Sequence, residues 1–409
     1  MGILHFLDIG PGDCSIIKHA SARITVIDVC RARSVKPAQQ IFNALLNSLS
    51  PPPAQPSLGA LLSGPHAPPP QEPTLGSVFG SLASALVPNP LDWGTPILSG
   101  VSKEATLGAI LGRSAPPLSP SVPFQAALEA LRRNPPTSAA ANDYENPIAY
   151  MTARSLHPVF RQILSHTDMD HMDGLADLYE EFPPANFWDT SNTCKKTFGP
   201  GSPYREKDWL LYKSLRDGTA LNAPTRLTLY AGDRGKYFNN GGEDGSQDGL
   251  FVLAPTHKLV SDANARQDFN DCSYVILYRS AGGRILFCGD SHDKTWEHIL
   301  AWHLDDVIGV DLMIAPHHGR HSDRDWDFLR ALQPKLTLFG RAPSEHLAYG
   351  AWSNLGLPYI TSNQAGNVIV DTDTAPMQVF VAKEAFARKR NPYTWFSDYH
   401  KAWFLQDII

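Results

Sequence analysis

Two short apolar runs, residues 3–9 and 14–18, flank a turn at Gly10-Pro11-Gly12-Asp13, and a β-branched run follows at 23–29. This pattern predicts three adjacent strands, the third of them central. Residues 158–164 form another such run. Beyond them the apolar spacing changes to Leu175, Leu178 and Phe182, which is the period of a helix. A Gly/Asp-rich, hairpin-like segment at 239–249 separates predicted strands at 226–230 and 250–253. Alternating runs at 273–279 and 284–288, joined by Ser280-Ala-Gly-Gly283, predict a hairpin. The remainder predicts helices at 294–302, 325–332 and 345–355, with strands at 311–315, 336–339, 367–371 and 377–381. In each half strands come first and helices follow, an order that predicts an α/β fold with sheets layered between helices.

Composition interrupts this pattern once. More than half of the chain's 34 prolines fall between residues 51 and 150. Residues 31–150 are therefore expected to be a Pro-rich, partly irregular insertion, a lid or a docking segment for a protein partner. The main domain is expected over 1–30 and 151–385, with a tail helix rich in aromatic and basic residues at 386–409. With 35 Lys+Arg against 41 Asp+Glu the net charge is −6, so contact with nucleic acid would use a local patch. Five cysteines without a C-x-x-C pair suit buried thiols in a reducing compartment. The N-terminus lacks the pattern of a signal peptide and no run is long enough for a transmembrane helix, which gives the expectation of a cytoplasmic protein without membrane contact.

The densest chemistry lies just after the strand at 158–164. His166, Asp168, Asp170 and His171 put four metal-capable side chains within six residues, where a strand ends and a helix begins. Divalent metals take these ligand types, and catalytic sites use them with a position left open for water. Three further strand ends carry candidate ligands: Asp28, Asp290 and the pair His317-His318. A two-metal site needs a bridging carboxylate, and Asp290, between a strand and a turn, is placed for that role.

Taken together, these segments resemble the metallo-β-lactamase fold superfamily, and most closely the branch containing the hydrolase domain of bacterial competence DNA-uptake channels (ComEC type), here without a membrane channel. The resemblance runs through HFLDIGPGDCSII at 5–17, ITVIDVC at 24–30, SHTDMDHMDG at 165–174, NDCSYVIL at 270–277, ILFCGD at 285–290, APHHG at 315–319 and ITSNQAGNVIVDTD at 360–373. It implies an αββα sandwich and two divalent ions, Zn²⁺ or Mn²⁺. Carried over, His166 and Asp168 bind metal 1, Asp170 and His171 bind metal 2, Asp290 bridges, and His317 completes site 2 with His318 as its alternative. Asp170 also orients the attacking hydroxide, and Asp28 shapes the site from behind. The chain departs from the pattern where a metal-1 histidine would stand and it has Asn270-Asp271, either of which is a candidate to reach the metal. It also has Pro11 in the opening turn, and in place of a His-Pro after 336–339 its nearest candidate is His346.

The implied activity is metal-dependent phosphodiester hydrolysis of DNA or RNA. Arg320, Arg324, Lys195-Lys196 and Arg388-Lys389-Arg390 are candidates to line the approach, and aromatic residues from Tyr393 to Phe404 could stack bases. The alternatives are a hydrolase of a small phosphoester or cyclic nucleotide, and a component of a larger defence assembly that is inactive alone.

Overall fold

The apolar runs fold into two sheets that pack face to face. In this computed structural model residues 2–34, 144–241 and 247–409 are described, and they belong to one unit, Met1–Lys36 with Asn142–Ile409. The strands in chain order are β1 (Ile3–Phe6), β2 (Ser15–Lys18), β3 (Ile24–Ile27), β4 (Val159–Ile163), β5 (Asn186–Trp188), β6 (Thr225–Leu227), β7 (Leu250–Ala254) and β8 (Val275–Arg279). They continue with β9 (Arg284–Phe287), β10 (Leu312–Ile314), β11 (Leu336–Phe339), β12 (Tyr359–Thr361), β13 (Val368–Asp371), β14 (Gln378–Val381), β15 (Phe396–Ser397) and β16 (Ala402–Asp407). One sheet runs β15-β16-β14-β13-β1-β2-β3-β4-β5-β6 and the other β12-β11-β10-β9-β8-β7.

Strand alternation sorts the core into layers. Leu4, Phe6, Ile17 and Ile27 of the first sheet meet Val252, Ile276, Phe287 and Leu338 of the second between the sheets. Their neighbours along the strands, such as Ile16 and Val26, face outward and are covered by helices at Pro147–Ala153, Leu175–Glu181, Glu206–Arg216 and His257–Arg266. On the far side Val275, Leu277, Leu286 and Met313 pack under helices at Asp293–Trp302, Phe328–Leu332 and Tyr349–Ser353. This is the expected αββα sandwich. Strands buried on both faces read as continuous apolar runs, which explains why so many were legible.

Strand direction sets the position of the chemistry. β3 and β4 are parallel neighbours, and so are β9 and β10. Asp28, His166, Asp290 and His317 each follow one of these four strands, so all lie beyond the carboxyl ends, the edge where α/β sheets carry ligands.

Three expectations need correction. The helix over 386–409 does not form: a helix spans Glu384–Arg390, and then the chain turns into β15 and β16. β16 pairs with β14, setting Phe404 opposite Phe380, and buries Leu405 and Ile408 between the sheets, a burial that outweighs helix propensity. The helix over 345–355 is broken at Leu347, whose extended backbone bridges to Arg320, leaving only Tyr349–Ser353. Helices form at Glu206–Arg216 and His257–Arg266, where none is predicted; the second is capped by Thr256, whose side chain accepts from the Leu259 N–H. Most of the insertion expected over 31–150 lies outside the described residues. Its last residues belong to the sandwich: Asn146 caps the helix that begins at Pro147 and buries Ile148 and Tyr150.

Candidate metal centre

The segment after β4 places its candidate ligands through a short turn, Met169–His171 as a 3₁₀ helix, with His171 meeting Asp290 and Asp170 meeting His318. His171 is fully buried. Its Nδ1 lies 2.8 Å from Asp28 Oδ2, and the same carboxylate accepts from the Ser165 N–H and Ser165 Oγ, each at 2.7 Å. Asp28 has a left-handed backbone, φ 55°, which aims its carboxylate back at the cluster. An Nδ1–H donated to Asp28 leaves Nε2 as an acceptor, and Nε2 faces Asp290 Oδ1 at 3.1 Å. Two acceptors at that separation require a proton or a cation between them. Neither atom, nor His166 Nε2, has a hydrogen-bond partner although all three are buried.

His166 Nε2 stands 3.6 Å from both Asp168 Oδ2 and Asp290 Oδ2. Asp290 thus offers one oxygen to each half of the centre, as a bridging carboxylate does. The second half continues with Asp170 Oδ2, 3.3 Å from His318 Nε2. Among the described residues, His166, His171 and Asp290 form one group able to hold an ion, and Asp170, His171 and His318 form another. Ligand atoms around a tetrahedral zinc ion lie roughly 3.3–3.6 Å apart, given metal–ligand distances of about 2.0–2.2 Å. The separations above, 3.1–3.6 Å, fit that donor set.

The electrostatics agree. Burial pushes the imidazole of His171 toward neutrality, but Asp290 and Asp28 outweigh it and raise its pKa well above the ordinary value. His318 behaves alike: burial lowers it, while Asp13, Asp290 and the hydrogen bonds to Asp13 and Asp170 carry it up to about 10. Burial works against ionisation of Asp290, yet the facing His171, His166 and His318 hold it well below the carboxylate range. The carboxylates that raise these histidines would favour a divalent cation at the same place.

The Pro316–Gly319 turn separates the two histidines. His317 and His318 both have left-handed backbones, φ 51° and 58°, conformations that cost about 1–3 kcal/mol each at non-glycine residues. The result is divergence: His318 points into the core with Nδ1 2.9 Å from Asp13 Oδ1, and Gly340 leaves it room, since a Cβ there would meet His318 Cβ at 2.9 Å. His317 remains nearer solvent, its Nε2 3.7 Å from Asp290 Oδ2. Burial lowers its pKa to about 4, with Asp290 opposing and His318 and Arg324 assisting.

The remaining candidates make other contacts. Asp271 is turned away: it accepts from Thr295 N–H and Oγ1 and pairs with Arg266, capping the Asp293–Trp302 helix. Asn270 is half-buried, and its backbone N–H bonds the Asp268 carboxylate. His346 is exposed and meets His321 through its backbone oxygen. Arg324 is buried rather than facing a substrate, donating to the Ser291 and Asp290 carbonyls, Ser322 Oγ and His317 Nδ1. Arg320 is half-buried beside the turn. Sequence reasoning did not assign Asp13 to His318, nor the bidentate pair of Asp8 with Arg341. Lys196 Nζ lies 3.0 Å from Asp168 Oδ1; burial raises the Asp168 carboxyl, but His166 and Lys196 prevail and hold it low.

The chain matches no family model and no curated protein. Among solved structures it is similar to an isothiocyanate hydrolase from Delia radicum gut bacteria, at 12% identity and a TM-score of 0.36, over 88% of this chain and 96% of that one. That likeness is too distant to carry an argument about either chemistry or substrate.

Proposed function

We propose that the protein is a metal-dependent hydrolase that cleaves phosphodiester bonds, with nucleic acid as its substrate. One observation carries the metal reading: His171 Nε2, Asp290 Oδ1 and His166 Nε2 are buried, unpartnered and aimed at one another. His166, Asp168 and Asp290 would hold one ion, and Asp170, His171, His318 and Asp290 the other. Bound divalent ions at such a centre lower the pKa of water toward neutrality and stabilise charge on a phosphoryl oxygen.

The chain's own residues prepare the centre. Asp28 and Asp13 each accept from a histidine Nδ1, which fixes the ring and leaves Nε2 as the ligand atom. Asp170, partly accessible, is placed to orient a nucleophile. Lys196 brings a positive charge beside Asp168, where an anionic substrate would approach. Carboxylates in place of imidazoles harden the site, which suits Mn²⁺ as well as Zn²⁺ and phosphate oxygens as substrate atoms.

Nucleic acid is favoured by the C-terminal face, where Tyr393, Trp395, Phe396 and Tyr399 are exposed next to Arg388-Lys389-Arg390. The resemblance of the motifs to the competence-hydrolase branch points the same way. The net charge of −6 favours a second reading, a small phosphoester or cyclic nucleotide. The test is incubation with labelled single- and double-stranded DNA, RNA and cyclic nucleotides in Mn²⁺, Zn²⁺ or chelator. The expected result is nucleic-acid cleavage lost in chelator and in Asp170→Ala. Cleavage confined to a small phosphodiester overturns the nuclease reading.

A further inference from the structure

We infer that the two adjacent histidines of the Pro316–Gly319 turn have different tasks: His318 is the metal ligand, and His317 is a fixed N–H donor facing the bound substrate, set in that role by Arg324. Arg324 Nη2 lies 2.9 Å from His317 Nδ1. A guanidinium has five N–H donors and no acceptor, so His317 Nδ1 must be the acceptor and a neutral ring carries its proton on Nε2. A protonated Nε2 has no lone pair for a metal.

His318 presents the opposite arrangement. Asp13 Oδ1, 2.9 Å away, accepts from its Nδ1, and a carboxylate is the partner that frees Nε2 for a cation. The surroundings match these tasks. The side chain of His318 is fully buried and its Nε2 faces Asp170, whereas the side chain of His317 is 23% exposed on the side open to solvent. The consecutive left-handed residues make this division, because they set the rings at 74° to each other with centroids 5.8 Å apart. Arg324 is itself fixed by Ser322 Oγ and the carbonyls of Ser291 and Asp290, so its direction does not depend on His317.

His317 Nε2 lies 3.7 Å from Asp290 Oδ2, too far for a hydrogen bond but beside the group of His166, Asp168 and Asp290. An anionic oxygen arriving there would meet a donor whose orientation is already set. Preorganised donors of this kind stabilise charge as it develops, without reorganising during the reaction. Arg324 acts through His317 and is a positioning residue.

The inference rests on the metal-centre reading, and its experiment separates the two. Binding of Mn²⁺ and Zn²⁺ is measured by calorimetry for wild type, His317→Ala and His318→Ala. The expected result is that His317→Ala keeps the wild-type stoichiometry and its affinity within about threefold, while His318→Ala loses affinity by about 10–100-fold or more. If wild type binds no ion, the metal reading fails. If wild type binds and His317→Ala loses an ion, this assignment fails. Long-range ¹H–¹⁵N spectra of the wild-type protein give a second readout: His317 is expected as the Nε2–H tautomer with and without metal, and an Nδ1–H tautomer contradicts the assignment. In Arg324→Met the preference is expected to relax toward a mixture of tautomers, with Arg324→Lys retaining it. Should either variant fail to fold, the wild-type spectrum decides the point.

Discussion

Asp28 Oδ2 and His171 Nδ1 lie 2.8 Å apart, although 143 residues separate them in the chain. This contact joins the end of β3 to the turn after β4, and it decides which nitrogen of His171 faces the centre. Asp28→Asn keeps the size of the side chain and tolerates the left-handed backbone, but it removes the charge that holds the Nδ1 proton. Metal affinity is expected to fall about 10–100-fold, as found for partners behind metal-bound histidines. Calorimetric titration checks this, and an unchanged affinity contradicts the role given to Asp28.

Two buried histidines away from the centre make stability depend on pH. Burial lowers His5 to about 3 and His19 to about 4, with Arg154, His400 and Lys18 adding to the effect at His5, and Asp248 opposing it at His19. Both folded values are depressed from 6.5, so the unfolded chain binds more protons. Their stability contribution is present above pH 6.5 and is lost as pH falls through 4 and then 3. At pH 5 the loss is on the order of 2 kcal/mol for each ring. The difference in urea midpoint between wild type and His19→Gln, followed from pH 7.5 to pH 5, isolates this group. Wild type is expected to lose more stability than the variant, and parallel losses count against the assignment.

The C-terminal strands make a packing prediction. Leu405 is 2% exposed and sits between the sheets, so Leu405→Ala is expected to cost about 2–5 kcal/mol in unfolding free energy. Chemical denaturation measures it. A cost under 1 kcal/mol is what a loosely attached tail would give.

Substrate contact is tested on the same face. Trp395→Ala with Tyr399→Ala is expected to weaken single-stranded DNA binding by about tenfold or more, since base stacking is worth about 1–3 kcal/mol per base. Fluorescence anisotropy at two salt concentrations reads this. Binding unaffected by the double substitution moves the nucleic-acid path elsewhere.

How far the sequence could be read follows from the distances involved. The cluster His166 to His171 was legible as candidate ligands because one turn brings them together, and Asp290 because it ends a strand in a recognisable run. What escaped were partners brought together only by folding: Asp13 with His318 across 305 residues, and Asp8 with Arg341 across 333. The aromatic positions of 393–404 fit a helix or a strand on spacing alone, and the empty edge of the large sheet decided for a strand. Arg324 reads from the sequence as a residue lining the approach because nothing local indicates that it folds under the Pro316–Gly319 turn. The histidine pair remained ambiguous because spacing does not show left-handed backbones.

His166, Asp168, Asp170, His171, Asp290 and His318 are proposed to form one metal centre. Equilibrium binding of Mn²⁺ and Zn²⁺ to the full-length protein, compared with His171→Ala and Asp290→Ala, tests it most directly. Wild type is predicted to retain ions that both variants lose, each variant remaining folded by circular dichroism. A wild-type protein that retains no ion, or variants that retain as much as wild type, would contradict the account.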